Sequence, residues 1–490
     1  MDRLAVSLGV VSGCVAYAVV KVLTPPRPVP GLQLDPIDTT SWLKALVCGH
    51  MVEFLGKPAV YGPGSPMRRY CDGRSKPAFI RVFSTSRLVT ANADDIEYML
   101  SLKTAGFRKG RGYIVLQRIL GNGLVTLIDD DQHAIHRREV SPAFSPAALK
   151  HIADVCVPEH ARALTTELDS CVGEKVPIQK LMLRAALCVM AQAAFRTNDN
   201  KTNDLVAQCF TQAMSNGWSL PRLSPVIDKM LIFQNAKIHD ARQKMRVLVE
   251  DIKKACSAED APTERNAKAL IDFMLSSPKL DTTALMDHSI TFMFAGYDTT
   301  SNAMTWMAYL LSQNHGAQDK LYEELSAVVA LGSCPKVDDL KSCKYLYSCI
   351  KETLRLYGPV PTLARAAGDD DVLPGTKCFV PKGMLILMPL AVLHRNKQVW
   401  GDDSDEFRPE RWEEDDFDAK VASHFMPFSI GRRNCIGKDF AMNEMALLAA
   451  AVYRNFKLSW PADEPEVFPE ALPILRPKAP FNVEVEKRSH

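Results

Sequence analysis

The chain's 13 cysteines are an odd number, and no two of them stand at C-x-x-C spacing. No histidine pair accompanies them at zinc-finger spacing either. Structural zinc and a secreted disulfide framework are therefore poor fits, and a reducing, cytosol-facing location is the better one. Most of these thiols read as small buried hydrophobes. The formal net charge is only +2, and no block of like charge is long enough to act as an interaction tail, so nothing argues for nucleic acid as a partner. Internal repeats and low-complexity segments are absent from the sequence. Apolar residues are plentiful: 47% of the 490 residues are hydrophobic against 24% charged. That is ample for a large buried core.

One apolar segment, Leu4 to Val20, runs without a charge at the N-terminus. At 1.5 Å per residue it covers about 26 Å, slightly short of a hydrocarbon core of roughly 30 Å. Extension to Leu23 closes the gap if Lys21 snorkels to the interface. Pro25, Pro26, Pro28 and Pro30 then stop the helix and make a stiff linker. The expected organisation is a membrane anchor over 1–23, a Pro-rich linker over 24–31 and one large domain over 32–490. Lys21 and Arg27 put that domain on the cytoplasmic side. The alternative is a cleaved signal peptide, since Ala16-Tyr17-Ala18 has an A-x-A look. The unpaired cysteines favour the anchor.

Short β signals occur at Phe79 to Phe83 and Arg87 to Thr90, and the pattern is mainly helical from about 93 to 357. Apolar residues recur at three- and four-residue spacing from Ala284 to Leu311, which predicts a helix crossing the whole molecule. A second helix is expected from Val337 to Tyr357, ended by Pro359 and Pro361. A hairpin-like piece follows, Cys378 to Val380 and Met384 to Leu390 around Pro381-Lys382-Gly383. A last helix runs from Phe440 to Asn455. The fold class is mainly α with small β-sheets, an α+β domain.

Near the C-terminus stands Phe428-Ser-Ile-Gly431-Arg-Arg433-Asn-Cys435-Ile-Gly437. Five fixed residues at this spacing should arise by chance in about one in ten thousand chains of this length. The pattern suits a cysteine thiolate donated to haem iron, which favours O–O cleavage. Gly431 and Gly437 let the chain turn tightly so that amides face the sulfur, and a helix beginning past Cys435 adds its positive end. Phe428 can shield the sulfur, and Arg433 is placed to pair with a haem propionate.

With these residues the chain resembles the cytochrome P450 family of haem-thiolate monooxygenases, from about Gly31 to Phe481. Four further motifs carry the resemblance. Glu352-Thr-Leu-Arg355 puts two charges on one helix face. Alone, such a pair reads as solvated surface. The family pattern implies that it is buried and joined by Arg411 of Phe407-Arg-Pro409-Glu-Arg411-Trp412, as structural support. Ala295-Gly296-Tyr-Asp298-Thr299-Thr300 holds poor helix formers inside a helix, which implies close approach to a ligand or a widened turn. The resemblance makes Asp298 and Thr299 a catalytic proton relay beside the oxygen site. Its alternative is a threonine bonded back within its own helix. His133-Ala-Ile-His-Arg137 occupies the family's W-x-x-x-R position, with His133 where tryptophan is commonest. Either ring can donate an N–H to a propionate, although a histidine brings a pH dependence of its own. Arg137 and Arg365 match the other propionate-pairing arginines.

The resemblance implies haem b (iron protoporphyrin IX) as cofactor. It implies NADPH–cytochrome P450 reductase as electron donor, with cytochrome b5 as a further candidate. Arg432 and Lys438 could meet acidic groups of such a donor. The expected location is the endoplasmic reticulum membrane, single-pass, with the catalytic domain in the cytosol. Two other readings stay open: a reductase-independent isomerase or dehydratase acting on a peroxide, and a non-enzymatic haem-binding protein. Both would dispense with the Asp298–Thr299 relay. The substrate reads only as a lipophilic small molecule, such as a fatty acid, terpenoid or sterol. The stretches expected to line the pocket, Ile114–Leu127, Phe210–Phe233 and Val360–Ala366, are apolar without being diagnostic.

Overall fold

The computed structural model describes residues 65–82, 85–110, 112–197, 232–255, 268–471 and 474–488, together with 32, 33, 35, 205, 208, 209, 212 and 213. The anchor, the Pro-rich linker and most of the 210–233 stretch expected at the pocket lie outside the described residues.

The strands are β1 (Ala78–Val82), β2 (Thr85–Val89), β3 (Phe107–Arg108), β4 (Lys175–Val176), β5 (Leu363–Ala367), β6 (Asp371–Val372), β7 (Phe379–Val380), β8 (Leu385–Met388), β9 (Phe456–Ser459), β10 (Pro469–Ala471), β11 (Leu475–Pro477) and β12 (Val483–Lys487). Five of them form the main sheet in the order β1-β2-β8-β5-β3. β2 and β8 run parallel, with Leu88 opposite Ile386, and the other pairs in this sheet are antiparallel. Alternation along β5 puts Arg365 and Ala367 on the buried side together.

The helices that position the site are α1 (Gly112–Leu120), α2 (Asp130–Val140), α3 (Pro146–Asp169), α4 (Ile178–Phe195), α5 (Ile232–Ala255), α6 (Thr282–Gln313), α7 (Lys344–Tyr357) and α8 (Lys438–Asn455). α6 opens on Asp281, whose carboxylate accepts from Ala284 N at 2.7 Å. Its 32 residues span about 48 Å. It is apolar nearly all round, as a central helix must be, and Ile290, Met304, Met307 and Leu311 are almost wholly buried. Each such side chain contributes about 1.5–3 kcal/mol by leaving water. α4 is the one helix among the described residues long and apolar enough to cross a membrane, but 72% of it is buried inside the protein. It packs along α6, and a Cβ built at Gly296 would lie 2.3 Å from Met190 Sδ. Gly296 therefore serves the close approach of two helices.

Two expectations are corrected. The helix expected from Val337 to Tyr357 is broken into Val337–Leu340 and α7. Glu324 supplies the reason. Its two carboxylate oxygens accept from Tyr345 N at 2.8 Å and Leu346 N at 2.9 Å, which caps a new helix start. The hairpin around Pro381 does not form either. β7 pairs with β6, while β8 inserts between β2 and β5. The turn redirects the chain because Gly383, at φ +82°, donates its N–H to Ala367 O and so hands the strand to the main sheet.

Candidate functional site

Cys435 lies in a loop closed by its own N–H, which donates to Phe428 O at 2.9 Å. The loop turns through Ser429 and Gly431, at φ +59° and +73°. A Cβ at Gly431 would fall 2.0 Å from Leu100 O, so only glycine fits there. Gly437 is different. Its φ is −91°, and its Cβ would meet nothing nearer than Phe144 at 3.8 Å. What it gives is a backbone N–H aimed at the cysteine sulfur, at the start of α8. Among the described cysteines Cys435 alone is exposed, so its sulfur faces accessible space although atoms crowd it from behind. Burial pushes the thiol up, while the Gly437 amide and the Arg137 guanidinium favour the thiolate.

Cations converge beside this loop. Arg137, on α2, donates to Asn434 O and Asn434 Oδ1, both at 2.7 Å. Arg433 donates to Asp130 through Nε at 2.9 Å and to Leu127 O at 2.8 Å, with a further Nη2 contact to Asp130. Arg365 is 3% exposed and spends one donor on Ala364 O at 2.9 Å. His133 is buried on the same face of α2 as Arg137. Lys109 completes the group and reaches Val125 O. Burial, then the repulsion of Arg433 and Arg365, drives the Lys109 amine well below its usual value. His133 is pushed down to about 3 by burial, then by Arg433, Lys109 and Arg137. Its ring is therefore held toward the neutral form, able to donate one N–H.

A recess of about 400 Å³ is lined by Asp130, His133, Arg137, Arg138, Arg432 and Arg433 among others. Its surplus of positive charge, set against Asp130, suits a dianionic group. A soft sulfur donor and several cations beside it match a haem, with one iron and two carboxylates. Lys109 was not legible as a member, because nothing in the run Phe107-Arg108-Lys109-Gly110 fixes its distance from Arg433.

On α6, Thr299 Oγ1 donates to Ala295 O at 2.7 Å, the bond within its own helix that was the alternative to a relay. Asp298 Oδ1 accepts from Asn302 Nδ2 at 3.1 Å. Its carboxyl is raised to about 6 by burial, opposed by Arg476 and the Asn302 bond.

Glu352, Arg355 and Arg411 meet with no exposed surface on any of them. Glu352 also accepts from Trp412 Nε1 at 2.9 Å and Arg408 N at 3.0 Å. Arg355 donates onward to His394 O at 2.9 Å and Ser404 O at 2.5 Å. The Trp412 bond was not anticipated, although its motif was visible. This cluster ties α7 to the segment that leads to the cysteine loop.

Comparison with known proteins gives a match to the family model described as Cytochrome P450 over residues 78–485. Cytochrome P450 monooxygenase 205 of Postia placenta is 29% identical over 446 residues, covering 80% of this chain and 81% of that protein. A cytokinin hydroxylase of Arabidopsis thaliana is 30% identical over 357 residues, covering 69% and 67%. A probable cytochrome P450 4d20 of Drosophila melanogaster is 28% identical over 478 residues, covering 90% and 91%.

Proposed function

The chain belongs to the cytochrome P450 family of haem monooxygenases, and from that premise we propose that it oxidises a lipophilic small molecule with electrons from an NADPH-dependent flavoprotein reductase. We place this activity at the cytosolic face of the endoplasmic reticulum, held there by residues 1–23. In this reading Cys435 ligates the iron, while His133, Arg137, Arg365, Arg433 and Lys109 hold the two carboxylates. Once bound, the haem supplies dioxygen activation, and the thiolate favours cleavage of the O–O bond.

The protein's own part is to handle protons and water. With its carboxyl near 6, about one Asp298 in ten is protonated at pH 7. Thr299 gives its hydroxyl proton to Ala295 O, which leaves its lone pairs free to accept. To act as a relay, Thr299 would release Ala295 O and give its own hydroxyl proton to the oxygen site as it accepts one from Asp298. Phe428 is partly buried against the core beside the cysteine loop and narrows access to the sulfur. Exposed Arg432 and Lys438 give the electron donor a cationic rim to meet with acidic groups. Val360 and Leu363 offer apolar surface to a fatty acid, terpenoid or sterol.

The observation that carries this reading is the Cys435 loop lying against a surplus of buried and half-buried cations. The test is NADPH oxidation and product formation by the full chain, with and without reductase. Product without reductase, from a peroxide substrate, would instead support the isomerase or dehydratase reading. Deleting residues 1–23 should release the protein from membranes with haem binding intact. A full-length protein that is soluble, or found cleaved after Ala18, would refute the anchor.

A further inference from the structure

Asp287 on α6 is 2% exposed, and it grips two other elements at once. Its Oδ1 accepts from Arg242 Nη2 on α5 at 2.7 Å. Its Oδ2 accepts from the backbone N–H of Asn122 at 2.8 Å. The loop comes this close because residue 121 is glycine, at φ +70°, where a Cβ would lie 2.0 Å from Asp287 Oδ1. One step further, a Cβ at Gly123 would lie 1.8 Å from Thr291 Oγ1. The loop is therefore seated on α6 by its backbone. It then runs on to Val125 and Leu127, whose carbonyls accept from Lys109 and Arg433.

The two grips differ in kind. Asn122 binds by its backbone N–H, which cannot rotate away, and Gly121 makes room for it by having no Cβ. Arg242 is a side chain, 24% exposed against 3% for Asp287, and makes one hydrogen bond to it where a guanidinium can make two. Its Nε is buried without a partner. Water can compete for this contact, unlike the sealed Glu352–Arg355 pair. A small apolar cavity also lies between α5 and α6, lined by Met245, Val249 and Ile252 on one side and Ser289, Ile290 and Met293 on the other. This seam of α5 with α6 is apolar, so Arg242–Asp287 is the charged contact beside it.

We propose that Asp287 is a positioning residue through which α5 sets the cations at the haem carboxylates. When Arg242 holds it, the carboxylate is fixed, the 121–128 loop is seated, and Arg433 and Lys109 are held in place. When Arg242 lets go, Asp287 keeps only the Asn122 N–H, and its greater freedom loosens the loop and, through it, the two cations. A ligand that moves α5 would then alter how tightly the haem is held, without touching it.

The inference rests on those cations holding the haem carboxylates, and the test separates the two claims. Full-length holoenzyme would be mixed with excess apomyoglobin and the rate of haem transfer followed. Arg433→Gln should raise the rate about tenfold. Arg242→Gln and Asp287→Asn should each raise it about threefold, and the double variant no further, because both break one contact. Arg242→Lys should restore most of the slow rate. The ferric/ferrous midpoint should move negative in the same variants, since positive charge near the haem is less well held. Arg184→Gln, at an exposed pair with Glu167, should change nothing. If Arg433→Gln has no effect, the haem-carboxylate assignment fails. If Arg433→Gln speeds transfer but Arg242→Gln does not, the relay through Asp287 is wrong. A lowered melting temperature with unchanged transfer rate and midpoint would reduce Asp287 to a packing role, and an additive double variant would show two separate effects.

Discussion

Glu352 and Arg355 form a two-fold ion pair one helical turn apart, Nη2 to Oε1 at 2.7 Å and Nε to Oε2 at 2.8 Å, with neither side chain reaching solvent. Arg411 shares the same carboxylate at 3.0 Å. Removing Glu352 would strand the buried Arg355 guanidinium and leave Arg411 with Asp403 alone at 3.2 Å, a loss of about 3–5 kcal/mol. Glu352→Ala should therefore give little folded haem protein, measured as soluble yield and absorbance at the Soret band. Normal yield would mean that the cluster is not needed for folding.

Cys435→Ser should abolish the strongly red-shifted ferrous–CO band that a thiolate ligand produces. Cys378 is buried, with its thiol pushed up to about 11 by burial, so Cys378→Ser should keep the band. Persistence of the band in the Cys435 variant would overturn the haem assignment.

The relay assigned to Asp298 and Thr299 separates chemistry from support. Thr299→Ala removes a hydroxyl and strands no charge, so folding, haem content and ligand binding should survive. NADPH consumption should continue while product per NADPH falls several-fold. Because Asp298 titrates at about 6, its donor form is lost as pH rises through that value. Product per NADPH should decline above about pH 6 in the wild type, and Asp298→Asn should flatten the profile and slow turnover. A Thr299→Ala protein with the wild-type ratio would remove that residue from the relay.

Two other buried rings make stability sensitive to acid. His288 and His394 are both pushed down to about 3, chiefly by burial, from the usual 6.5. Below 6.5 protons bind the unfolded chain first, so the stability these rings contribute is full above that pH. It is lost as pH falls toward 3, at about 1.4 kcal/mol per unit for each ring. The melting temperature of the holoenzyme should drop between pH 6.5 and 5. His394→Gln, which keeps an acceptor for Met426 N, should lessen the drop. An equal slope in that variant would remove His394 as a cause.

Much of this was legible in the sequence where the signal is local. α6 was visible from its apolar spacing and exceeds the expected helix by two residues at each end. The Glu352, Arg355 and Arg411 spacing was enough to suggest a cluster, and the structure brings the three together. The signals that failed were tertiary. The break before Lys344 depends on Glu324, some twenty residues upstream in the chain, and β8 chose partners that its own turn does not reveal. Gly296 looked like an accommodation for a ligand, but Met190 on another helix occupies that side. Lys109 owes its place to packing alone.

The two glycines that bracket Cys435 also predict different mutational tolerances. At 431 even a methyl group would collide with a backbone carbonyl that cannot rotate aside, and the loop would have to lift off Leu100. At 437 the φ is ordinary and the protein around it leaves room. A library randomised at both positions and selected for the thiolate-type CO band should return glycine alone at 431, and alanine or serine alongside glycine at 437. Exchange of this loop between related enzymes should likewise succeed only when the segment around Leu100 travels with it.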